Sequence, residues 1–271
     1  MEVPFACRIA SKSPSRQAGW GIRIFWGKEL LLLRLDRSLR GSESCDGNTE
    51  RAAGDVAQTD VVAEFLSAFR AEGMKAGLYF SILDLTSKLG RYEFTEAHRE
   101  MVLGQITELL TNYGEIPYLV IDGWNAPWGG PSYKALPFEE VDALVKKLQP
   151  NCLLMNIGCT EGIKGTDIVF FENGAGQDVD NGFEGPGALC QTLTTTWFNR
   201  DEHKDQPVKN ADWALKLMNR CFGMNVTFIM NLSPDPDGVV GDNLAERFAE
   251  IGKEVKLPAP LEEIPKGWQK R

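Results

Sequence analysis

Residues 118–130, YLVIDGWNAPWGG, decide how the rest of the chain is read. Tyr118, Leu119, Val120 and Ile121 are apolar at both alternations. That pattern predicts a strand covered on both faces, as in a parallel sheet flanked by helices. The run stops at an acid, Asp122, and a loop with two indoles follows, Trp124 and Trp128. A buried strand that ends at a carboxylate beside aromatic faces is suited to presenting an acid to a sugar.

The rhythm around that stretch repeats. Before it, Thr59 and Asp60 are candidate caps of a helix carrying Val62, Phe65, Leu66 and Phe69, which Gly73 stops. KAGLYFSIL (75–83) reads as a strand. A helix from about Thr95 follows, with Val102, Ile106, Leu109 and Leu110 on one side, ended by Gly114. After it, Pro137 opens a helix, and CLLMNIG (152–158) and DIVFFEN (167–173) read as strands. Residues 174–209 read as a long irregular region. Asn210 caps a helix, VTFIMNLSP (226–234) is a strand, and a last helix runs from about residue 243 to 255.

Strand and helix alternate, and polar residues end the strands: Asp84, Asp122, Asn156, Glu172 and Asn231. The fold class expected is α/β, a (β/α) barrel of TIM type with its site at the C-terminal ends of the strands. No glycine-rich phosphate fingerprint follows any strand, which disfavours a dinucleotide-binding sheet. Residues 1–58 form an atypical segment with one strand expected within 21–33, so the barrel is expected to be incomplete or distorted at that end. The expected division is residues 1–58, a barrel domain over 59–256 and a tail over 257–271.

Composition narrows the function. The net charge of −9 and pI near 4.9 disfavour a nucleic-acid partner. No apolar run reaches the length of a membrane span. The opening residues lack the basic and then apolar pattern of a secretory leader, so the compartment expected by default is cytoplasmic. With two histidines, His98 and His203, a histidine-rich metal site is excluded. The six cysteines contain no CxxC pair and read as reduced, partly buried thiols.

Carboxylates on different strand ends, flanked by aromatics, describe glycoside hydrolysis. One acid protonates the leaving oxygen, and the other attacks the anomeric carbon or activates water. Asp122 and Glu172 are the strand-end candidates. Trp124, Trp128 and Trp197 are candidates to stack on a sugar. Asn231 reads equally as a substrate ligand and as a tie to a loop backbone, and Tyr79 as a site residue or a core residue.

Four runs in order, DVVAEFLSAFRAEGMKAGLYFS, NYGEIPYLVIDGW, CQTLTTTWF and GMNVTFIMNLSPDPDG, together resemble the α-L-fucosidase family of retaining glycoside hydrolases over roughly residues 60–255. The resemblance implies that Asp122 is the catalytic nucleophile, that the substrate is a fucosylated glycan or glycoside, and that no cofactor or metal is needed. The family's acid/base glutamate varies in position. Ala188 stands where some members carry it, so the role falls on Glu172 in VFFENGAGQ or on Glu184 in GFEGPG. Glu172 is preferred, because a strand end is the more rigid platform. The family's His-His-Asp-Gly segment has no counterpart here. The expectation is therefore a retaining exo-α-L-fucosidase. The alternatives are a carbohydrate-binding relative without turnover and a glycosidase for a related 6-deoxy or galacto-configured sugar.

Overall fold

The computed structural model describes residues 60–82, 94–126, 130–157, 166–183, 185–198, 208–232, 239–263 and 265, with the backbone of two further strands. These two are β1 (Ile24–Trp26) and β2 (Leu31–Leu35). They replace the single strand expected over 21–33. Then come α1 (Val61–Ala71), β3 (Ala76–Ser81), α2 (Glu96–Thr111), β4 (Tyr118–Asp122), α3 (Phe138–Leu148), β5 (Leu153–Ile157), β6 (Ile168–Glu172), β7 (Gly187–Thr192), α4 (Ala211–Gly223), β8 (Val226–Leu232) and α5 (Asp242–Glu254).

Local chemistry sets the helix ends. The Asp60 side chain accepts from the Ala63 N–H, and Asn210 accepts from the Trp213 N–H. Thr95 and His98 cap one another at the start of α2. Each such cap satisfies a backbone donor that the helix itself cannot, and is worth about 1 kcal/mol.

The strands form one sheet in the order β1-β8-β7-β6-β5-β4-β3-β2. Neighbours from β2 to β8 are parallel, and β1 is antiparallel to β8. Strands β3 to β8 curl into part of a (β/α) barrel, distorted at its N-terminal side by the antiparallel strand. Three apolar clusters explain why the strands are apolar at both alternations. Leu78, Leu119, Ile121 and Leu154 face outward onto α1, α2 and α3. Val169, Leu189, Phe228 and Met230 face outward onto α4 and α5. Tyr79, Tyr118, Val120, Met155, Phe170, Ala188, Cys190 and Ile229 fill the concave interior.

The floor of that interior depends on one glycine. A Cβ at Gly77 would lie 2.1 Å from Cε2 of Tyr118, so the tyrosine ring occupies the space a side chain would take. Its hydroxyl then donates to the Lys75 carbonyl at 2.9 Å. Strand β7 lies within the stretch expected to be irregular. Its sequence, GALCQT, is poor in strand-favouring residues, and its pairing with β6 and β8 makes it a strand.

Candidate active site at the C-terminal mouth of the barrel

Side chains two apart along a strand share a face. Asp122 therefore faces the interior with Tyr118 and Val120, and Glu172 faces it with Ile168 and Phe170. The two carboxylates flank β5, on strands β4 and β6. Ile121 pairs with Asn156 and Ile157 with Phe170, so Glu172 stands two residues nearer the mouth than Asp122. Their backbones are roughly 10 Å apart across the sheet and about 7 Å along it.

Asp122 has a fixed partner. The Tyr79 hydroxyl, on a side chain 1% exposed, donates to its Oδ2. Tyr79 is thus both a core residue and a contact of the candidate nucleophile. Beyond Asp122 the chain turns at Gly123, whose φ of 119° suits glycine. The loop comes back so tightly that a Cβ at Gly130 would lie 1.5 Å from the Gly123 carbonyl oxygen.

Trp124, expected to face a sugar, packs on the other side of the sheet. It is 4% exposed, stacks on Tyr133 at 5.4 Å, touches Phe138 at 5.6 Å and donates its Nε1–H to the Leu136 carbonyl at 2.8 Å. At that burial it is a core residue that anchors the loop. Trp128 and Glu184 lie outside the described residues, as does Asp84. Asn156 also departs from expectation. It shares the outward face of β5 with Leu154 and donates to the Tyr133 hydroxyl at 2.9 Å, outside the concave interior.

Trp197 does reach the mouth. It packs against the interior cluster, and its ring covers Gly174, two residues past Glu172. Its backbone is tied down by Asn231, whose Nδ2 donates to the Trp197 carbonyl at 3.1 Å. Of the two readings of Asn231, the loop tie is the contact seen. The loop is also stitched internally. The hydroxyls of Thr192, Thr194 and Thr196 donate to the carbonyls of Thr194, Thr196 and Phe198 at 2.5, 2.8 and 2.8 Å. Ala188 is buried on the interior face, where it offers a methyl group and no proton.

Sequence reasoning missed the polar groups behind β6 and β7. Gln191, Asn173, Gln177 and Lys209 are hydrogen-bonded in series, and burial pushes the Lys209 ammonium below its ordinary pKa. No spacing signal in the sequence links them, because they lie on separate segments that meet only in the fold.

Comparison with known proteins gives this arrangement a family. The sequence model described as alpha-L-fucosidase matches residues 48–257. The chain belongs to the α-L-fucosidase family. It is 28% identical over 216 residues to alpha-L-fucosidase 1 of Arabidopsis thaliana, covering 71% of this chain and 41% of that protein. The chain thus spans about two-fifths of the length of that relative. Among solved structures it resembles alpha-L-fucosidase isoenzyme 1 from Paenibacillus thiaminolyticus, with a TM-score of 0.57 and 25% identity over 72% of this chain and 51% of that one. The fold also matches alpha-L-fucosidase AlfC from Lactobacillus casei, solved with its α-L-fucose product. There the TM-score is 0.56, with 20% identity over 72% of this chain and 65% of that one. The half-barrel of this fucosidase-family chain is the part that carries Asp122 and Glu172 at the ends of β4 and β6.

Proposed function

We propose that the chain carries the catalytic domain of a retaining exo-α-L-fucosidase, over residues 59–256, which releases terminal fucose from glycans or glycosides by double displacement. The observation that supports this best is Asp122. It closes strand β4 on the concave face, held by the Tyr79 hydroxyl, with Glu172 on the same face one strand beyond its neighbour. The concave curvature turns two inward side chains toward a common centre. Retaining enzymes need their carboxyl groups about 5–5.5 Å apart.

In the first step a carboxylate oxygen of Asp122 bonds to the anomeric carbon of fucose. The bond from that carbon to the aglycone oxygen breaks, and Glu172 gives its proton to the departing oxygen. In the second step Glu172 takes a proton from water, whose oxygen bonds to the anomeric carbon as the ester to Asp122 breaks. The products are fucose and a free carboxylate, with both acids back in their starting states. This chemistry needs no metal or cofactor. Trp197 is the wall of the sugar pocket on the β6 and β7 side. Glu184 is the second candidate for the acid/base, and Trp128 for an aromatic wall on the other side.

The test is hydrolysis of 4-nitrophenyl α-L-fucoside with the released fucose followed by proton NMR. The expected first product is the α-anomer. Appearance of the β-anomer first would reject the retaining mechanism. Absence of nitrophenol, together with a rise in melting temperature on adding fucose, would instead identify a binding protein.

A further inference from the structure

Glu172 ends its strand in a turn held by amides. Its N–H donates to Gln177 Oε1 at 2.9 Å, and the Gln177 N–H donates back to the Glu172 carbonyl at 3.2 Å. Between them lies a single 3-10 turn, Asn173–Ala175. The Asn173 Nδ2 spans it, donating to the Gln177 carbonyl at 2.9 Å. Gln191 of β7 donates from Nε2 to Asn173 Oδ1 at 2.9 Å. Its Oε1 accepts from Lys209 Nζ at 3.1 Å and from the Thr192 N–H at 2.8 Å.

The direction of every bond in this series is fixed from one end. An ammonium group only donates, so the oxygen of Gln191 must face Lys209. The amide nitrogen of Gln191 then faces Asn173, whose oxygen must receive it. The nitrogen of Asn173 is left for the Gln177 carbonyl. Lys209 itself is held by the Thr192 carbonyl at 2.9 Å and lies over the Trp213 ring at 4.4 Å. Gln191 alternates with the interior-facing Cys190, on the outward side shared by Leu189 and Leu193. It therefore acts from behind the sheet and does not touch a sugar.

We propose that Gln191 is a positioning residue for Glu172, transmitting the fixed donor direction of Lys209 into the 173–177 turn and so setting where the Glu172 carboxyl group stands. This rests on the acid/base role proposed for Glu172. A misplaced acid impairs proton delivery to the leaving oxygen, and that loss depends on how much the leaving group needs the proton. Nitrophenolate departs with little help, whereas an alkoxide needs full protonation. A merely structural defect lowers the rate on both.

The experiment measures kcat/KM, which reports the first step, for 4-nitrophenyl and methyl α-L-fucosides. The variants are Q191M, which keeps volume but removes the hydrogen bonds of the side-chain amide, N173A, which cuts the series one link nearer, and E172A as reference. General acid catalysis contributes about 10²–10⁴-fold, and the expected loss in Q191M on the methyl fucoside is about tenfold, against less than about threefold on the nitrophenyl fucoside. N173A should show the same split. The split in E172A should be larger, and azide should restore its turnover of the nitrophenyl substrate. Equal losses on both substrates, or none, in folded Q191M and N173A alongside a split in E172A would overturn the role of Gln191 alone. No split in E172A would overturn the assignment of Glu172, and the inference with it.

Discussion

Tyr79 on β3 donates its hydroxyl hydrogen to Oδ2 of Asp122 on the adjacent strand β4, from a position two residues nearer the barrel floor. Strand register makes the contact possible. Ser81 pairs with Asp122 and Tyr79 with Val120, so the phenol reaches up the interior face and its ring stays in the core. One oxygen of the carboxylate is thereby engaged by the protein, and in the proposed mechanism the other attacks the anomeric carbon.

Removing that hydroxyl tests its contribution. A hydrogen bond to a charged acceptor is worth about 1.5–3 kcal/mol, or roughly a 10- to 100-fold change in rate if it is expressed in the transition state. The Tyr79→Phe variant should lose kcat on 4-nitrophenyl α-L-fucoside by about tenfold or more, with KM little changed and the fold intact by circular dichroism. An unchanged kcat would show that the contact only fills the core.

A second prediction concerns Trp197. A Cβ at Gly174 would lie 2.4 Å from Cζ2 of the indole and 2.8 Å from Cη2. The Trp197 backbone is held by Asn231 and by the threonine hydroxyls, so the ring has to rotate. Overpacking of this kind costs about 1–3 kcal/mol. Gly174→Ala should lower the melting temperature modestly and, if Trp197 forms the proposed wall of the sugar pocket, raise KM several-fold. Thermal melts and steady-state kinetics on one preparation separate the two effects.

The buried thiols give a pH prediction. Cys152 is buried beneath β5, and burial pushes its pKa from 9.0 up to about 12. The folded chain thus keeps this proton over a range where the unfolded chain releases it. Stability from Cys152 is complete below pH 9.0, falls as pH rises above that value, and stops falling near pH 12. Urea midpoints measured from pH 8 to 11 should decline less steeply for Cys152→Ala than for the parent chain, whatever the offset between them. Parallel declines would show that this thiol does not titrate on unfolding.

Much of this architecture was legible in the sequence, and the reasons are physical. Helix caps such as Asp60, Thr95 and Asn210 announce themselves because the cap bond is local, reaching three residues along the chain. Asp122 and Glu172 were legible because each ends a short apolar run of strand length, where a charged group marks the end of burial, and in the fold each closes its strand. Strand β7 was not, since GALCQT owes its extended form to neighbours on both sides rather than to its own residues. Trp124 and Trp197 could not be told apart either. Each stands in a short run after a strand, and only the fold shows one ring packed against Tyr133 and Phe138 and the other over Gly174 at the mouth. The amides behind Glu172 were invisible for the same reason, with Gln191 reaching Asn173 across 18 positions of sequence.

The central claim is that Asp122 forms the covalent intermediate. It is tested most directly by incubating the protein with 2-deoxy-2-fluoro-α-L-fucosyl fluoride, whose fluorines speed formation of a glycosyl ester relative to its hydrolysis, and then mapping the adduct by peptide mass spectrometry. The predicted result is one fluorofucosyl group on the peptide containing YLVIDGW, attached at Asp122 and absent in Asp122→Ala. An adduct on another carboxylate, or full turnover of 4-nitrophenyl α-L-fucoside by Asp122→Ala, would contradict it.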